Sequence, residues 1–509
     1  MDQFVKDFAD DIARGVTTKY PHQQTVPQAH WEPTAGILRS LSMAYDPANP
    51  GGKILVGALG DRLIGIDDNR HVMTVAGSRT GKSVGLIGNL LFYRGSVLAL
   101  DPKGELAAIT AERRVALGQK VCVLDPFNIT PERIAPYRVN FNPVTLLDPK
   151  SDTIIEDAGL ISDALVVAGS AKDPHWDESA QNFIEGLLLQ IATDPQYEGR
   201  RDLISLRYLI NTVLVPAPDD DDAFALELAM LKNAARLQHS DRMADIGDAI
   251  EGAARDFYEK PASERASVLS TTRRHTKLLD FRSMANVLKG HDFNLSELKT
   301  APQGMTVYLC LPANRMKRCN RWLRMFINLL LDAMEREKTK PALPVLACLD
   351  EFPVLGHMEQ LETAAGQIAS FGVKLWVILQ DWGQGKALYK DRWETFAGNA
   401  GILQFFGNND LMTTEYVSKR LGRTPVIVIR EGEISAEQRA AGLTGRSESN
   451  EQYDLLTPDE VSRQFARSDR LKRQLVLWAG FHPLMLQRVE YFDEASPVWP
   501  AFAGKFASP

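Results

Sequence analysis

The sequence predicts an α/β protein with a mainly parallel central sheet and an all-α domain inserted into it. Continuous apolar runs of strand length, at 72–76, 96–100, 121–124, 305–311, 345–349 and 373–379, recur with helical segments between them. Runs without polar alternation suit strands buried on both faces, as in a parallel sheet covered by helices. Several runs end in a turn or a polar residue (Gly77, Asp101, Asp125, Asp350, Gln380), and functional residues gather at such carboxyl ends. Between about 151 and 285 strand-like runs become scarce and helical periodicity takes over. The expected divisions are an N-terminal arm over 1–50, two parts of one α/β domain at 51–150 and 286–509, and the helical insertion at 151–285.

Residues 1–50 are polar and dotted with proline, with a short helix expected near 37–43. Two short strands are expected within 52–66. The first buried strand then runs into Ala76-Gly77-Ser78-Arg79-Thr80-Gly81-Lys82-Ser83, and Val84-Gly85-Leu86-Ile87 opens a helix. This is the order of a phosphate loop, spelled with Ala76 where the commoner pattern has its first glycine. Unhindered backbone at Gly77 and Gly81 lets loop N–H groups turn inward on phosphate oxygens, and the helix N-terminus favours the anion. Ala76, Gly77, Ser78, Arg79, Thr80, Gly81, Lys82, Ser83 and Val84 are therefore the expected nucleotide-binding residues. Lys82 reaches the β- and γ-phosphates in this scheme, and Ser83 ligates magnesium.

The strand at 96–100 ends in Asp101-Pro102-Lys103-Gly104-Glu105 before a helix over 106–117, and the strand at 121–124 ends in Asp125-Pro126. Helices are expected over 154–167, 179–192, 223–237 and 241–258. The acidic run 219–222, after Pro216-Ala217-Pro218, reads as a solvated loop and helix cap. After 305–312 comes a helix in which Lys317, Arg318, Arg321, Arg324 and Arg336 are interleaved with Trp322, Leu323, Phe326 and Leu330. A solvated basic face on a core-packing helix is expected there, with phosphate contact as the alternative.

Val345-Leu346-Ala347-Cys348-Leu349-Asp350-Glu351 supplies the second half of the site. Two carboxylates at the tip of a buried strand are costly unless they meet a cation. With a phosphate loop present, Asp350 helps to hold magnesium through its water shell and Glu351 polarises the attacking water. The strand at 373–379 ends in Gln380-Asp381; Gln380 senses the γ-phosphate in this scheme, and a helix-capping role is the alternative.

Composition narrows the class. The net charge of −7 gives no global basic footprint for nucleic acid, although a channel that grips DNA internally needs none. The four cysteines form no CxxC pair and sit mostly in apolar runs, which suits buried thiols in a reducing compartment. No apolar stretch approaches the ~18 residues of a membrane span, and the first residues lack a signal-peptide pattern, so a cytoplasmic protein is expected.

The motif series Thr74-Val75-Ala76-Gly77 through Gly85, Leu100-Asp101-Pro102-Lys103-Gly104-Glu105, Leu349-Asp350-Glu351-Phe352-Pro353-Val354-Leu355-Gly356 and Leu379-Gln380-Asp381-Trp382 resembles the coupling ATPases of type IV secretion and conjugation, the TraG-type family. The likeness extends through Pro174-His175-Trp176-Asp177, Gly398-Asn399-Ala400-Gly401 and Leu455-Leu456-Thr457-Pro458-Asp459-Glu460 to a closing strand region at 475–492. It implies a RecA-like P-loop motor, active as a homo-hexamer, that hydrolyses ATP with Mg2+ at subunit interfaces. The resting state is left open and includes a monomer. The motor would couple single-stranded DNA in a relaxase–DNA complex, or a protein effector, to secretion-channel components. Lys82, Ser83, Asp350, Glu351 and Gln380 fall on the family's nucleotide positions, and the helical insertion would face the cytoplasm and contribute to substrate recognition.

Family members usually begin with membrane-spanning helices, and no such stretch is found here; either an anchored partner recruits the protein to the inner face of the cell membrane, or it works away from a channel. Some relatives carry an arginine before the strand that ends in the glutamine, where this chain has Gln367-Ile368-Ala369-Ser370. Arg392, Arg420 and Arg423 are the candidates for the interfacial arginine, and the sequence does not choose among them. A nucleotide-regulated recruitment platform with little hydrolysis and a duplex-DNA pump of the FtsK or HerA kind are the competing readings.

Overall fold

The computed structural model describes residues 29–167, 175–213, 225–431 and 446–507. Residues 1–28 of the expected arm, and the acidic run at 219–222 with its prolines, lie outside them. The strands are β1 (Ile54–Leu59), β2 (Arg62–Ile66), β3 (His71–Ala76), β4 (Val97–Asp101), β5 (Lys120–Leu124), β6 (Met305–Cys310), β7 (Val345–Leu349), β8 (Val373–Leu379), β9 (Ala400–Phe406), β10 (Arg423–Glu431), β11 (Arg446–Asp454), β12 (Arg473–Trp478) and β13 (Leu484–Gln487). All but β10 and β11 join one eleven-stranded sheet in the order β2-β1-β13-β12-β9-β3-β8-β7-β4-β6-β5.

From β9 to β5 every pairing is parallel. β3, β4, β6, β7, β8 and β9 are buried at every position, as their unbroken apolar runs require. The other end of the sheet is antiparallel: β12 pairs with β9 and β13, and β1 with β13 and β2. The closing region at 475–492 is thus an antiparallel extension separated from β3 by β9. β10 and β11 form a separate antiparallel ribbon.

Helices Lys82–Leu90 and Glu105–Ala116 cover one face of the sheet, and Ala313–Arg336 the other. The bounds of the first two fall within a residue or two of those expected, whereas the N-terminal helix lies at Thr34–Arg39, earlier than 37–43. Between β5 and β6 every described element is helical, from the 3-10 turn Glu132–Tyr137 to helix Glu297–Thr300. Helix His175–Thr193 runs through the centre of this group, with the Phe183 and Phe257 rings stacked at 4.0 Å. These helices share one continuous apolar core with a face of the sheet.

The basic helix Ala313–Arg336 buries Met316, Trp322, Leu323, Phe326, Ile327, Leu330 and Met334. At about 1.5–3 kcal/mol per buried large apolar side chain, this burial decides its orientation. Its cations are not one solvated face. Lys317 and Arg318 are exposed, but Arg324 is buried and donates to the carbonyls of Leu355 and His357. Arg321 donates to the Leu165 carbonyl at 2.8 Å and to Nδ1 of His275 at 2.9 Å, while His275 Nε2 meets Asp177 at 2.9 Å. Arg336 pairs with Asp157 and Asp332. Three of the helix's six cations therefore bind it to its neighbours.

Arg114 is wholly buried, and its guanidinium donates to the carbonyls of Leu90, Tyr93 and Gly95 and to the Thr306 hydroxyl. It closes the segment that follows the phosphate-loop helix. Arg114→Met would leave three carbonyls without this donor, at a cost of about 3 kcal/mol. The apparent thermal midpoint should fall accordingly, and an unchanged midpoint would refute this role.

Candidate functional site

β3 delivers the chain to a loop whose shape depends on close packing. Ala76 is wholly buried at the strand end. A Cβ on Gly77 would lie 2.1 Å from the Gly407 carbonyl oxygen, so only glycine fits against the loop that follows β9. Gly81 caps the next helix with φ of 92°, a left-handed conformation open to glycine at little cost. Lys82 is then the first helical residue, and Ser83 follows on the first turn.

The strand order brings the rest of the site together. β8 lies between β3 and β7, with Val75 opposite Leu379 and Leu349 opposite Val377. Gln380, at the end of β8, therefore stands between the phosphate loop and the acids at the end of β7. Its Nε2 lies 3.2 Å from both carboxylate oxygens of Glu351. Ser83 Oγ donates to Asp350 Oδ2 at 3.0 Å. Capping of helix Trp382–Tyr389 is done by Asp381, whose Oδ1 accepts from Gln384 N at 2.9 Å. Ser78 to Val84, Asp350, Glu351 and Gln380 line one cleft of about 610 Å³.

Glu351 has a left-handed backbone, φ 60° and ψ 42°. For a residue with a Cβ this costs about 1–2 kcal/mol, and such strain concentrates at functional sites. Burial pushes the Asp350 carboxyl up; the Ser83 hydroxyl and Lys82 oppose that, and Glu351 adds to it. Burial likewise pulls the Lys82 ammonium down, against the attraction of Glu351 and Asp350. A hydroxyl and a buried, incompletely compensated carboxylate side by side form a hard-oxygen pair that suits Mg2+.

The Asp101-Pro102-Lys103 turn joins the same cleft. Asp101 is buried on β4, and burial pushes its carboxyl up to about 6. It accepts from Ala107 N at 2.9 Å, which ties the turn to the next helix and leaves Lys103 at the cleft wall. Lys317 also lines the cleft. Of the three arginine candidates, Arg392 pairs with Glu362 at 3.1 Å and Arg423 with Asp454 at 3.2 Å, while Arg420 is exposed on helix Leu411–Leu421.

A family model for type IV secretory system conjugative DNA transfer matches residues 23–507. The chain belongs to that family. The conjugal transfer protein TraG of Escherichia coli is 26% identical over 462 residues, which cover 86% of this chain and 69% of that protein. The coupling protein VirD4 of Bartonella quintana is 25% identical over 455 residues, 86% of this chain and 65% of that one. The chain thus spans about two thirds of the length of these relatives. Its fold is that of the bacterial conjugative coupling protein TrwBdeltaN70, with a TM-score of 0.62 at 14% identity over 94% of this chain and 97% of that one. TrwB has also been solved with the ATP analogue ADPNP (TM-score 0.59) and with ADP and Mg2+ (TM-score 0.58), each at 13% identity over 92% of this chain and 96% of that one. The architecture is therefore the RecA-like α/β fold of P-loop NTPases. Among the described residues of this family member, no helix is long and apolar enough to cross a membrane.

Sequence reasoning missed the parts that shape the loop from outside. Gly407 packs against it from the end of β9, and the next residue, Asn408, donates its Nδ2 to the Gln380 carbonyl at 3.3 Å. The run Phe405-Phe406-Gly407-Asn408-Asn409 carries a strand-then-turn signal that could have located this contact. Arg488, which holds the loop from the far side, has no local signal at all.

Proposed function

We propose that this protein is an ATP-hydrolysing coupling protein that takes a relaxase-bound DNA strand, or a protein substrate, and drives it into a type IV secretion channel. The observation that carries the reading is the convergence of Lys82, Ser83, Asp350, Glu351 and Gln380 on one cleft at the ends of three adjacent parallel strands. The nucleotides bound by TrwB, which has the same fold, support ATP and Mg2+ as the ligands.

Loop N–H groups and Lys82 hold the phosphates in line with Glu351. Mg2+, when held by Ser83 and the water shell of Asp350, supplies charge neutralisation at the transferring phosphoryl group. The Glu351 carboxylate accepts the proton of the attacking water. Gln380 now spends its amide on Glu351; a γ-phosphate within reach competes for that donor, and this links the nucleotide state to the end of β8. Residues 151–285 form the substrate-facing helical domain in this reading, and 51–150 with 286–509 the motor. A neighbouring subunit in a hexamer supplies the positive charge, with Arg392, Arg420 and Arg423 as candidates, and a membrane-anchored partner brings the motor to the channel.

The test is ATP turnover across a protein concentration series, with and without single-stranded DNA. Turnover should rise steeply on assembly and further with DNA. ATP binding without turnover under every condition would replace the motor by a recruitment platform.

A further inference from the structure

Arg488 directly follows β13, 408 positions from the phosphate loop in sequence, yet its Nη1 donates to the Thr80 carbonyl at 2.9 Å. A trans peptide carries its C=O and N–H on opposite sides. With the Thr80 carbonyl held toward Arg488, the N–H of Gly81 points away from that side chain, and Gly81 itself lines the cleft with Ser78 to Val84. Thr80 Oγ1 acts in the same way on the Gly77 carbonyl at 2.6 Å, which turns the Ser78 N–H. Two peptide planes of the cradle are thus set before any phosphate arrives.

The guanidinium is itself held firmly. Arg488 N and Nε both donate to the Lys472 carbonyl, at 2.8 and 3.3 Å. Lys472 is tied in turn to Glu490 at 2.6 Å and Asp493 at 2.7 Å. The Arg488 guanidinium lies over the Phe406 ring, 5.3 Å from its centroid, at the end of the strand beside β3. It is a cation placed behind an anion cradle, fixed by the antiparallel extension of the sheet.

We infer that Arg488 is a positioning residue of the nucleotide site: it presets the Thr80–Gly81 peptide to donate to phosphate and adds a fixed positive charge behind the loop. The inference rests on the reading of this loop as the nucleotide site. Loop N–H groups of this kind cradle the inner phosphates, so ATP and ADP depend on Arg488 alike.

The experiment measures ATP and ADP affinity and the nucleotide-free thermal midpoint on the full chain, for Arg488→Met, Arg488→Gln and Arg488→Lys, with Lys82→Ala as control. Arg488→Met should weaken both nucleotides by about tenfold or more with little change in the midpoint, since a charge-assisted hydrogen bond is lost. Arg488→Lys, which keeps the charge, should recover much of the loss. Where Arg488→Met does not fold, Arg488→Gln is read in its place. Parental affinity in the neutral variants, a loss confined to ATP, or a loss that follows the unfolded fraction and is not recovered by lysine would each overturn the inference. Binding that survives Lys82→Ala would sink the nucleotide-site reading itself, whereas binding lost there but parental in Arg488→Met sinks only the role of Arg488.

Discussion

Glu351→Gln is expected to cut ATP turnover by about a thousandfold, the range of a lost general base, while ATP still binds. Glutamine has nearly the shape of glutamate, so the left-handed backbone and a contact to Gln380 can persist. What disappears is a group able to take a proton from water. Binding should hold or tighten, because an anion near the incoming phosphates is removed while Lys82 keeps Asp350 as its partner. Turnover and nucleotide affinity are measured on the same preparation. Turnover within tenfold of the parent would remove Glu351 from the reaction.

Lys82→Ala is expected to lower ATP affinity by about a hundredfold and to abolish measurable turnover, through loss of a charge-assisted contact in a partly desolvated cleft. The variant also leaves Asp350 and Glu351 without the attraction of Lys82, so the Asp350 carboxyl should move further above its ordinary range. The two variants therefore separate in a predictable way. Glu351→Gln binds without turning over, whereas Lys82→Ala fails at binding. Both should keep the parental circular dichroism spectrum, because neither side chain belongs to the apolar core. Parental turnover in Lys82→Ala would end the motor reading.

The parts of the site legible in the sequence are those built by contiguous residues. A buried strand, a glycine-bearing turn and a helix start occupy 72–91, and each step has its own local cause: apolar β-branched residues, freedom of φ at Gly81, then helix formers. Asp350-Glu351 is legible only beside Lys82-Ser83, since a pair of acids after a strand is by itself more often a helix cap. Gln380 stood open between sensor and cap. The strand order settles its position beside Glu351, because β8 inserts between β3 and β7. The basic stripe of helix Ala313–Arg336 was harder. Spacing located its apolar face, but the partners of Arg321 and Arg324 are carbonyls of distant segments, which no periodicity reports.

The sequence by itself determined the fold class, the strand, glycine turn and helix start over 72–91, the acid pair at the end of β7 and the run of helices between β5 and β6. All of these arise from interactions within a turn or a strand, whose cost and gain are set by neighbouring residues. Only the tertiary structure decided which strands are neighbours, that the chain's last strands run antiparallel against β9, that Glu351 takes a left-handed backbone, and that Arg488 grips the Thr80 carbonyl. Those features depend on packing between segments far apart in sequence, from 70 positions for Phe405 and Leu475 to 408 for Thr80 and Arg488, where shape and burial choose the partner and local pattern carries no address.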